Sequence, residues 1–341
     1  MSDLDEALLE GWLRDEVPGF PKLVGLEKFS GGQSNPTYRV ETEGQNYVLR
    51  RKPFGPLLPS AHAVEREFRL LSALRPTGFP VPAPLALCED ASIIGSPFYL
   101  MELVEGRTFW DASLPQLPLA ERRPCHEAMI DTLAALHRLD HETLGLTDFG
   151  RPGNFFARQV DRWTRQYRAA QTDDIAEIER LIEWLPRTVP EQTRASIIHG
   201  DYRIDNLIYE AEEPRVRAVL DWELATIGDP LADFTYLAMN WVIPFDGQSG
   251  LGGLDLAATG LPSLEDITAR YCEATGRGGL PDLNWYFAYN LFRLASIVQG
   301  IKKRLADGNA SSAKAAASAE RVRPLAKSAW AEARKAGAVG S

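Results

Sequence analysis

Cysteine is scarce in this chain of 341 residues, occurring only at the widely spaced positions Cys88, Cys125 and Cys272. An odd number of scattered cysteines indicates neither a disulfide framework nor a cysteine-based zinc site. Long apolar runs are also missing, since no stretch approaches the roughly 18 residues that a membrane span needs. The first residues are acidic and lack the basic segment of a signal peptide. We therefore expect a cytoplasmic protein without a membrane span.

The chain has no excess of basic residues either. It contains 37 Lys and Arg against 47 Asp and Glu, for a formal net charge of −10. Nucleic-acid binding needs clustered cations against the phosphates, so we do not expect DNA or RNA as a partner. The balance is uneven, because residues 291–341 hold ten Lys and Arg but three Asp and Glu. The simplest interpretation of this basic region is a solvated helical face.

The hydrophobic pattern changes near residue 103. Before it, short strand-like segments alternate with turns around one helix, which is predicted to be capped by Ser60. After it, the pattern is mostly helical. The predicted helices there are 119–139, 154–170, 173–185, 230–242, 263–275, 284–305 and 311–336. We predict an α+β protein with a small antiparallel-sheet lobe at 1–103 and a larger helical lobe at 104–341.

Polar residues follow two predicted strands in the stretch IIHGDYRIDNLIYEAEEPRVRAVLDWELATIGDP. Asp201 ends the first strand, Asn206 comes five residues later, and Asp221 ends the next strand. Phosphoryl transfer needs a residue that positions or deprotonates the attacking hydroxyl, together with oxygen ligands for Mg²⁺. The kinase catalytic loop has this spacing, with Asp as base and Asn and Asp for metal. The pattern predicts Asp201 as catalytic residue and Asn206 and Asp221 as metal ligands.

These motifs resemble the aminoglycoside phosphotransferase family, whose fold is protein-kinase-like. The likeness is carried by HGDYRIDNLI and AVLDWELATIGDPLADFTYLA. The segments FSGGQSNPTY, YVLRRKP and QGIKKRLADGNASS are more narrowly similar to the phosphotransferase domain associated with acyl-CoA dehydrogenases. The resemblance covers nearly the whole chain. It implies a two-lobe kinase-like fold, with ATP and Mg²⁺ as cofactors.

One salt bridge can be predicted from helical periodicity. Glu67 falls among Val64, Leu70 and Leu71 on the apolar face of its helix, whereas Glu65 falls on the polar face. A carboxylate on an apolar face is costly unless it is paired. We expect Arg50 as the partner, although Glu67 could instead reach water at the edge of the helix. By resemblance, Arg50 holds the place of a phosphate-pairing lysine, and both residues serve the nucleotide.

The rest of the nucleotide site is predicted from the first lobe. Gly31 and Gly32 would let backbone N–H groups approach phosphate, with donors from Ser34 and Asn35. A hairpin turn explains the two glycines equally well. The resemblance implies that backbone groups from Glu102 to Val104 hold adenine. The direct contribution of Glu223 to the site is left open.

The following helix and loop contribute structural predictions. Asp229 is expected to cap the helix that begins at Pro230. By resemblance, Asp233 would bond the backbone of the catalytic loop. His199 is interpreted as a satisfied structural histidine, although a direct role in the site is left open.

The acceptor is expected to be a hydroxylated small molecule. The aromatic stripe of helix 154–170 is interpreted as core. Its arginines, Arg158, Arg162 and Arg165, form either a solvated face or part of an acceptor pocket. Together with the basic C-terminal region they favour an anionic acceptor. The resemblance to the domain associated with acyl-CoA dehydrogenases implies that this acceptor is a hydroxyacyl-CoA or hydroxy acid. The alternatives are an aminoglycoside or other small-metabolite kinase, and a non-catalytic nucleotide-binding pseudokinase. The sequence does not predict the oligomeric state.

Overall fold

The computed structural model describes residues 4–29, 35–55, 63–247, 249–307 and 317–339. The chain divides into two compact units. The first unit comprises Met1–Phe109, His141–Thr147 and Ile204–Ala225, and the second comprises Trp110–Asp140, Asp148–Arg203 and Thr226–Ser341. Within the described ranges, no helix has both the length and the apolar character of a membrane span.

The strands are short and all their pairings are antiparallel. In chain order they are β1 Leu23–Lys28, β2 Thr37–Thr42, β3 Tyr47–Arg51, β4 Pro84–Cys88, β5 Phe98–Glu102, β6 Ser196–Ile198, β7 Leu207–Tyr209, β8 Val216–Val219 and β9 Thr226–Gly228.

The helices lie mostly in the second unit. They are α1 Glu6–Glu16, α2 Val64–Leu74, α3 Leu119–Arg138, α4 Phe155–Ala170, α5 Ala176–Trp184, α6 Leu231–Ala238, α7 Leu264–Thr275, α8 Asn284–Ala306 and α9 Val322–Lys335. Short 3-10 turns occupy Arg75–Thr77, Leu185–Arg187, Ile204–Asn206, Trp222–Leu224 and Met239–Trp241.

The first unit is built on a five-stranded sheet in the order β1-β2-β3-β5-β4. Strand β3 lies at its centre, where Arg50 is paired in register with Thr37 of β2 and Tyr99 of β5. Helix α1 covers one face through buried leucines, and Trp12 meets Phe98 edge to face at 5.0 Å. The central position of β3 holds Arg50 on a rigid element.

The second unit is a helical body with one small strand pair, β6 with β9. The aromatic stripe of α4 is core, as predicted, because Phe156 packs edge to face against three rings of α8, those of Trp285, Tyr286 and Tyr289. Gly228 lies so close to α4 that a Cβ there would come within 2.6 Å of the Phe155 ring. The pair of β9 with β6, the strand that leads into Asp201, is thereby held against α4.

The predicted helices 119–139, 154–170, 263–275 and 284–305 agree with the structure to within one residue at each end. Helix α2 begins at Val64, and Ser60 lies outside the described residues. Helix α5 begins at Ala176 rather than 173, because Ile175 at its N-cap has an extended backbone. The predicted 230–242 helix ends at Ala238 and continues as a 3-10 turn to Trp241. The last helix, predicted at 311–336, is observed as Val322–Lys335, and residues 311–316 of its predicted span lie outside the described part.

Candidate active site

Arg50 is the centre of an ion cluster in the first unit. Its Nε lies 2.9 Å from Oε2 of Glu67, so the salt bridge predicted from periodicity is present. Its Nη2 donates to Oδ1 of Asp221 at 2.6 Å and lies 3.6 Å from Oε2 of Glu223. The Arg50 and Glu67 side chains are 11% and 3% exposed, so the pair is screened from water. Three carboxylates around one guanidinium leave the cluster with an excess of negative charge.

Two further donors fix the carboxylate of Glu67. The Asn35 side-chain amide donates to Oε1 at 2.8 Å, and the Tyr99 hydroxyl donates to Oε2 at 3.2 Å. Burial raises the pKa of Glu67 to about 7 against the opposing charge of Arg50, and the charges of Asp221 and Glu223 add to the rise. Burial disfavours the cationic form of Arg50, but the charges of Glu67, Tyr99 and Asp221 raise its pKa overall. Arg50 therefore stays charged and is held in one position.

Asn206 and Asp221 are brought together by the hairpin of β7 and β8. Leu207 pairs with Val219, and the Leu220 N–H donates to the Asn206 carbonyl at 2.8 Å. Asp221 follows in a left-handed backbone conformation with φ of 64°. Aspartate visits this region more readily than most residues, and such strain is concentrated at functional positions.

The oxygen atoms of this hairpin fit Mg²⁺. An amide oxygen and a carboxylate are hard ligands, and Mg²⁺ usually takes one or two carboxylates with phosphate oxygens and water completing its shell. The excess negative charge of the cluster also favours a divalent cation. Within the described part of the chain, no group of three or more His, Cys, Asp or Glu side chains is arranged to hold a metal. Asn206 and Asp221 would supply two of the oxygen ligands of such an ion.

Asp201 lies in the second unit, on the loop that follows β6. The His199 and Gly200 N–H groups donate to the two carboxylate oxygens of Asp233 at 2.6 and 2.8 Å. The Asp201 N–H donates to Nδ1 of His199 at 3.2 Å. Asp233 therefore bonds the loop backbone, as the resemblance implied. His199 is fully buried and shapes the same loop.

Asp233 is itself held by α3 and α7. Nε2 of His137 lies 3.4 Å from Asp233, and Nδ1 of His137 lies 2.7 Å from the Tyr271 hydroxyl. Burial alone would raise the pKa of Asp233, but the hydrogen bond and charge of His137 and the contacts of His199 lower it. Burial lowers the pKa of His137. A charged aspartate thus anchors the loop that carries Asp201.

The side chain of Asp201 has basic and phenolic neighbours. Nε of Arg203 lies 3.4 Å from its Oδ1, and the Tyr236 hydroxyl hydrogen-bonds to it. Arg293 approaches from α8, where Nη2 donates to the Gly200 carbonyl at 2.6 Å and the guanidinium carbon lies 4.8 Å from the Tyr236 ring centre. The loop and its carboxylate are therefore held by α6 and α8.

Of the other residues predicted to bind the nucleotide, the structure describes Glu102 and Val104. Gly31, Gly32 and Ser34 lie outside the described residues. Glu102 ends β5, and its backbone N–H already donates to the Ala83 carbonyl at 2.9 Å. Val104 follows that strand and is partly buried.

Three contacts at the site were not foreseen. Asn35, expected among the phosphate donors, is buried and bonds Glu67. Tyr99 and Tyr236 also contact site carboxylates. Strand alternation in FYLMELVEG could have placed Tyr99 on one face of its strand, but its partner depends on a long-range contact.

Comparisons with known proteins identify the family of the chain. Residues 25–267 match the family described as the phosphotransferase enzyme family. Acyl-CoA dehydrogenase family member 10 of Mus musculus is 44% identical over 337 residues, covering 98% of this chain and 31% of that protein. The chain thus spans about a third of the length of that relative.

Two solved structures have folds similar to that of this chain. A Ralstonia eutropha JMP134 protein, provisionally described as an aminoglycoside phosphotransferase, is 46% identical with a TM-score of 0.90, covering 97% of this chain and 99% of that one. A thermostable variant of aminoglycoside phosphotransferase APH(4)-Ia, in complex with ADP and hygromycin B, has a TM-score of 0.60 at 14% identity, covering 97% and 99%. The predicted kinase-like α+β fold is confirmed, and the chain belongs to the phosphotransferase enzyme family.

Proposed function

We propose that the protein transfers the γ-phosphate of ATP to a hydroxyl group of a small molecule. The observation that carries the proposal is the position of Arg50, which lies 2.9 Å from Glu67 and 2.6 Å from Asp221. A cation held between a buried glutamate and a candidate metal ligand is placed to meet nucleotide phosphates. The complex of APH(4)-Ia with ADP supports nucleotide binding in this fold.

Each residue has a defined task in this proposal. Asp201 accepts the proton of the acceptor hydroxyl while that oxygen bonds to the γ-phosphorus and ADP leaves with the bridging oxygen. Arg50, oriented by Glu67, binds phosphate oxygens. Asn206 and Asp221 would hold Mg²⁺, which when bound neutralises charge on the phosphates.

The positioning of Asp201 is consistent with its role as a base. Its loop is fixed through Asp233, and Tyr236 and Arg203 contact its carboxylate. A positioned carboxylate contributes by aligning the hydroxyl as well as by taking its proton.

The nucleotide pocket is completed by residues that stay predictions. We assign Gly31, Gly32 and Ser34 to cover the phosphates. We assign the backbone from Glu102 to Val104 to adenine, and the carbonyl groups are the better candidates because the Glu102 N–H is used within the sheet.

For the acceptor we propose a hydroxyacyl-CoA or a hydroxy acid. The name of the mouse relative, acyl-CoA dehydrogenase family member 10, points to acyl groups, although this chain covers 31% of that protein. The basic region at 291–341 also favours an anion over a polycation. An aminoglycoside or another small metabolite is the competing acceptor. A non-catalytic pseudokinase is disfavoured, because Asp201, Asn206 and Asp221 are all present.

The test is a transfer screen with γ-radiolabelled ATP and a panel of hydroxy acids, hydroxyacyl-CoA thioesters, choline and aminoglycosides. We expect Mg²⁺-dependent labelling of one acceptor class. The Asp221→Ala variant should lose the Mg²⁺ dependence of nucleotide binding. Labelling of no acceptor by the wild-type protein, despite nucleotide binding, would favour the pseudokinase.

A further inference from the structure

The basic residues of the second unit differ in what they bind. Arg158 donates to the backbone carbonyls of Gly153 and Arg151. Arg165 pairs with Asp161 at 2.7 Å. Lys302 pairs with Asp173, and Lys303 pairs with Asp307. These cations are satisfied locally, so they do not call for an external anion.

Arg293 is a buried cation without a carboxylate. Arg293 is 8% exposed. Among the described residues, no carboxylate oxygen lies within 4.0 Å of its guanidinium nitrogens. Its Nε is buried without a hydrogen-bond partner, and Nη2 donates to the Gly200 carbonyl. Arg50, whose side chain is 11% exposed, by contrast contacts three carboxylates. A buried charge with no counter-ion is costly, so an anion bound next to Arg293 would be favoured.

Arg162 shares an aromatic surface with Arg293. The guanidinium carbons of Arg162 and Arg293 lie 5.2 and 5.5 Å from the ring centre of Trp163. Trp163 is buried, and Arg162 is exposed with no carboxylate within salt-bridge distance in the described part of the chain. The indole ring thus contacts two guanidinium groups, neither of which has a carboxylate partner among the described residues.

Arg293, the buried member of this pair, lies close to the residue that we propose as the base. Arg293 rests on the Tyr236 ring at 4.8 Å, and the hydroxyl of that tyrosine hydrogen-bonds to Asp201. Arg293 also holds the carbonyl of Gly200, the residue before Asp201. An anionic group at the arginine pair would therefore belong to a molecule whose hydroxyl can reach Asp201.

We propose that Arg162 and Arg293, arranged on Trp163, bind the anionic group of the phosphate acceptor. The group is a carboxylate or a phosphate, because a planar guanidinium binds the oxygens of either in pairs. The assignment rests on the proposed phosphotransferase function and makes the two arginines specificity-determining residues. A hydroxy acid would supply the carboxylate, and a CoA thioester would supply phosphate.

The experiment compares three variants on matched acceptors. Arg162→Gln and Arg293→Lys test the pair, and Arg165→Gln is the control that removes one charge from the same face of α4. The acceptors are a hydroxy acid, its neutral methyl ester and its CoA thioester. We expect each test variant to lower kcat/KM for the charged acceptors about tenfold, which corresponds to about 1.4 kcal/mol. The kcat/KM for the methyl ester should change far less. Arg165→Gln should leave all three nearly unchanged.

The pattern of losses separates the interpretations. A selective loss with the acid identifies the carboxylate as the bound group, and a selective loss with the thioester identifies the phosphates. Equal losses with acid, ester and thioester mean that the arginines only support the loop, and overturn the proposal.

A binding measurement keeps the inference separate from the proposed function. Calorimetry of the hydroxy acid and of CoA needs no turnover. If the wild-type protein transfers phosphate to no acceptor, the proposed function fails, but weaker binding to Arg162→Gln than to Arg165→Gln still supports the anion site. Equal binding to both variants, or no binding to the wild-type protein, overturns it.

Discussion

At the scale of single residues, Arg50 compensates the burial of the Glu67 carboxylate and is itself held in place by that carboxylate. Glu67 is 3% exposed on the inner face of α2, where a lone carboxylate would be strongly destabilising. The opposite charge of Arg50 and two hydrogen-bond donors satisfy it. The cost of burial is then offset, and the guanidinium is held at one place on β3.

This arrangement predicts strong coupling between Arg50 and Glu67. Breaking either partner leaves an uncompensated buried charge, so Arg50→Met or Glu67→Leu alone should cost about 3–5 kcal/mol of unfolding free energy. The double variant should lose much less than the sum. Urea unfolding and ATP titration of the four proteins measure the coupling.

The neighbouring pair of Lys52 and Glu65 is the matched control. Its Nζ–Oε1 distance is 2.7 Å, but the side chains are 21% and 39% exposed. A cycle with Lys52→Met and Glu65→Leu should give a coupling below about 1 kcal/mol. Similar coupling for both pairs would show that burial does not set the strength of the Arg50 pair.

At the scale of elements, the start of α6 anchors the catalytic loop through two aspartates. Asp233 bonds the loop backbone, and Asp229 accepts the Leu231 N–H at 2.9 Å as the predicted cap. Asp229 is 4% exposed. Burial raises its pKa to about 6, against the hydrogen bond from Leu231 and the charge of Arg277. Asp229 is therefore buried with its ionised form disfavoured.

Asp229 should make stability depend on pH. Its folded-state pKa of about 6 exceeds the ordinary value of 3.8, so the folded protein holds this proton where the unfolded chain has lost it. The stabilising contribution is present below about pH 4 and is lost as pH rises through 6, by about 3 kcal/mol in all. Asp229→Asn keeps an oxygen for Leu231 and does not titrate. The difference in unfolding free energy between the wild type and Asp229→Asn should therefore shift against the wild type as pH rises from about 4 to above 6. A difference that stays constant over this pH range would contradict the raised pKa of Asp229.

The packing of β9 on α4 gives a second prediction. A Cβ at Gly228 would lie 2.6 Å from the Phe155 ring and 2.8 Å from Ile198, so Gly228→Ala should destabilise the protein by about 1–3 kcal/mol. Gly278 has no atom within 4 Å of an added Cβ. Gly278→Ala should therefore change stability by less than about 0.5 kcal/mol. Thermal unfolding of both variants compares them, and equal stabilities would contradict the close packing.

Local sequence patterns predicted the helices and strands more accurately than they predicted the contacts between these elements. Periodicity placed Glu67 on the apolar face of α2 because the residues that decide its burial lie within one helix. Tyr236 and Arg293 belong to helices far apart in sequence, so their meeting at the catalytic loop depends on tertiary packing. The arginines of α4 looked alike in sequence. They differ in their binding partners: Arg165 pairs with Asp161, whereas Arg162 lies over the Trp163 ring. Helical periodicity does not predict which partner each arginine takes.

At the scale of the whole molecule, charge is distributed unevenly. The chain carries a formal net charge of −10, although residues 291–341 hold ten Lys and Arg against three Asp and Glu. Helices α8 and α9 supply most of the described part of this basic region, and α8 also carries Arg293. Lys302 and Lys303 of this region are paired with carboxylates, so within it Arg293 is the residue that favours an anionic acceptor.

The acceptor preference tests that interpretation. We expect kcat/KM for a 4-hydroxyacyl-CoA or its free acid to exceed that for kanamycin and choline by at least tenfold, or about 1.4 kcal/mol of transition-state binding. The reason is that cationic kanamycin and choline would be repelled by Arg293, which lies near Asp201 without a carboxylate partner among the described residues. Initial rates with the four acceptors at one ionic strength measure it. A tenfold preference for kanamycin or choline would reject the anionic acceptor and leave the phosphotransfer chemistry standing.

The most direct test of the central claim is the activity of Asp201→Asn measured beside its affinity for nucleotide. The amide has nearly the size of the carboxylate but cannot accept the proton. We expect γ-phosphate transfer to fall by about 10²–10⁴-fold, while Mg²⁺–ATP binding measured by calorimetry stays close to that of the wild type. Transfer at near wild-type rates to any acceptor would contradict the assignment of Asp201 as the catalytic base.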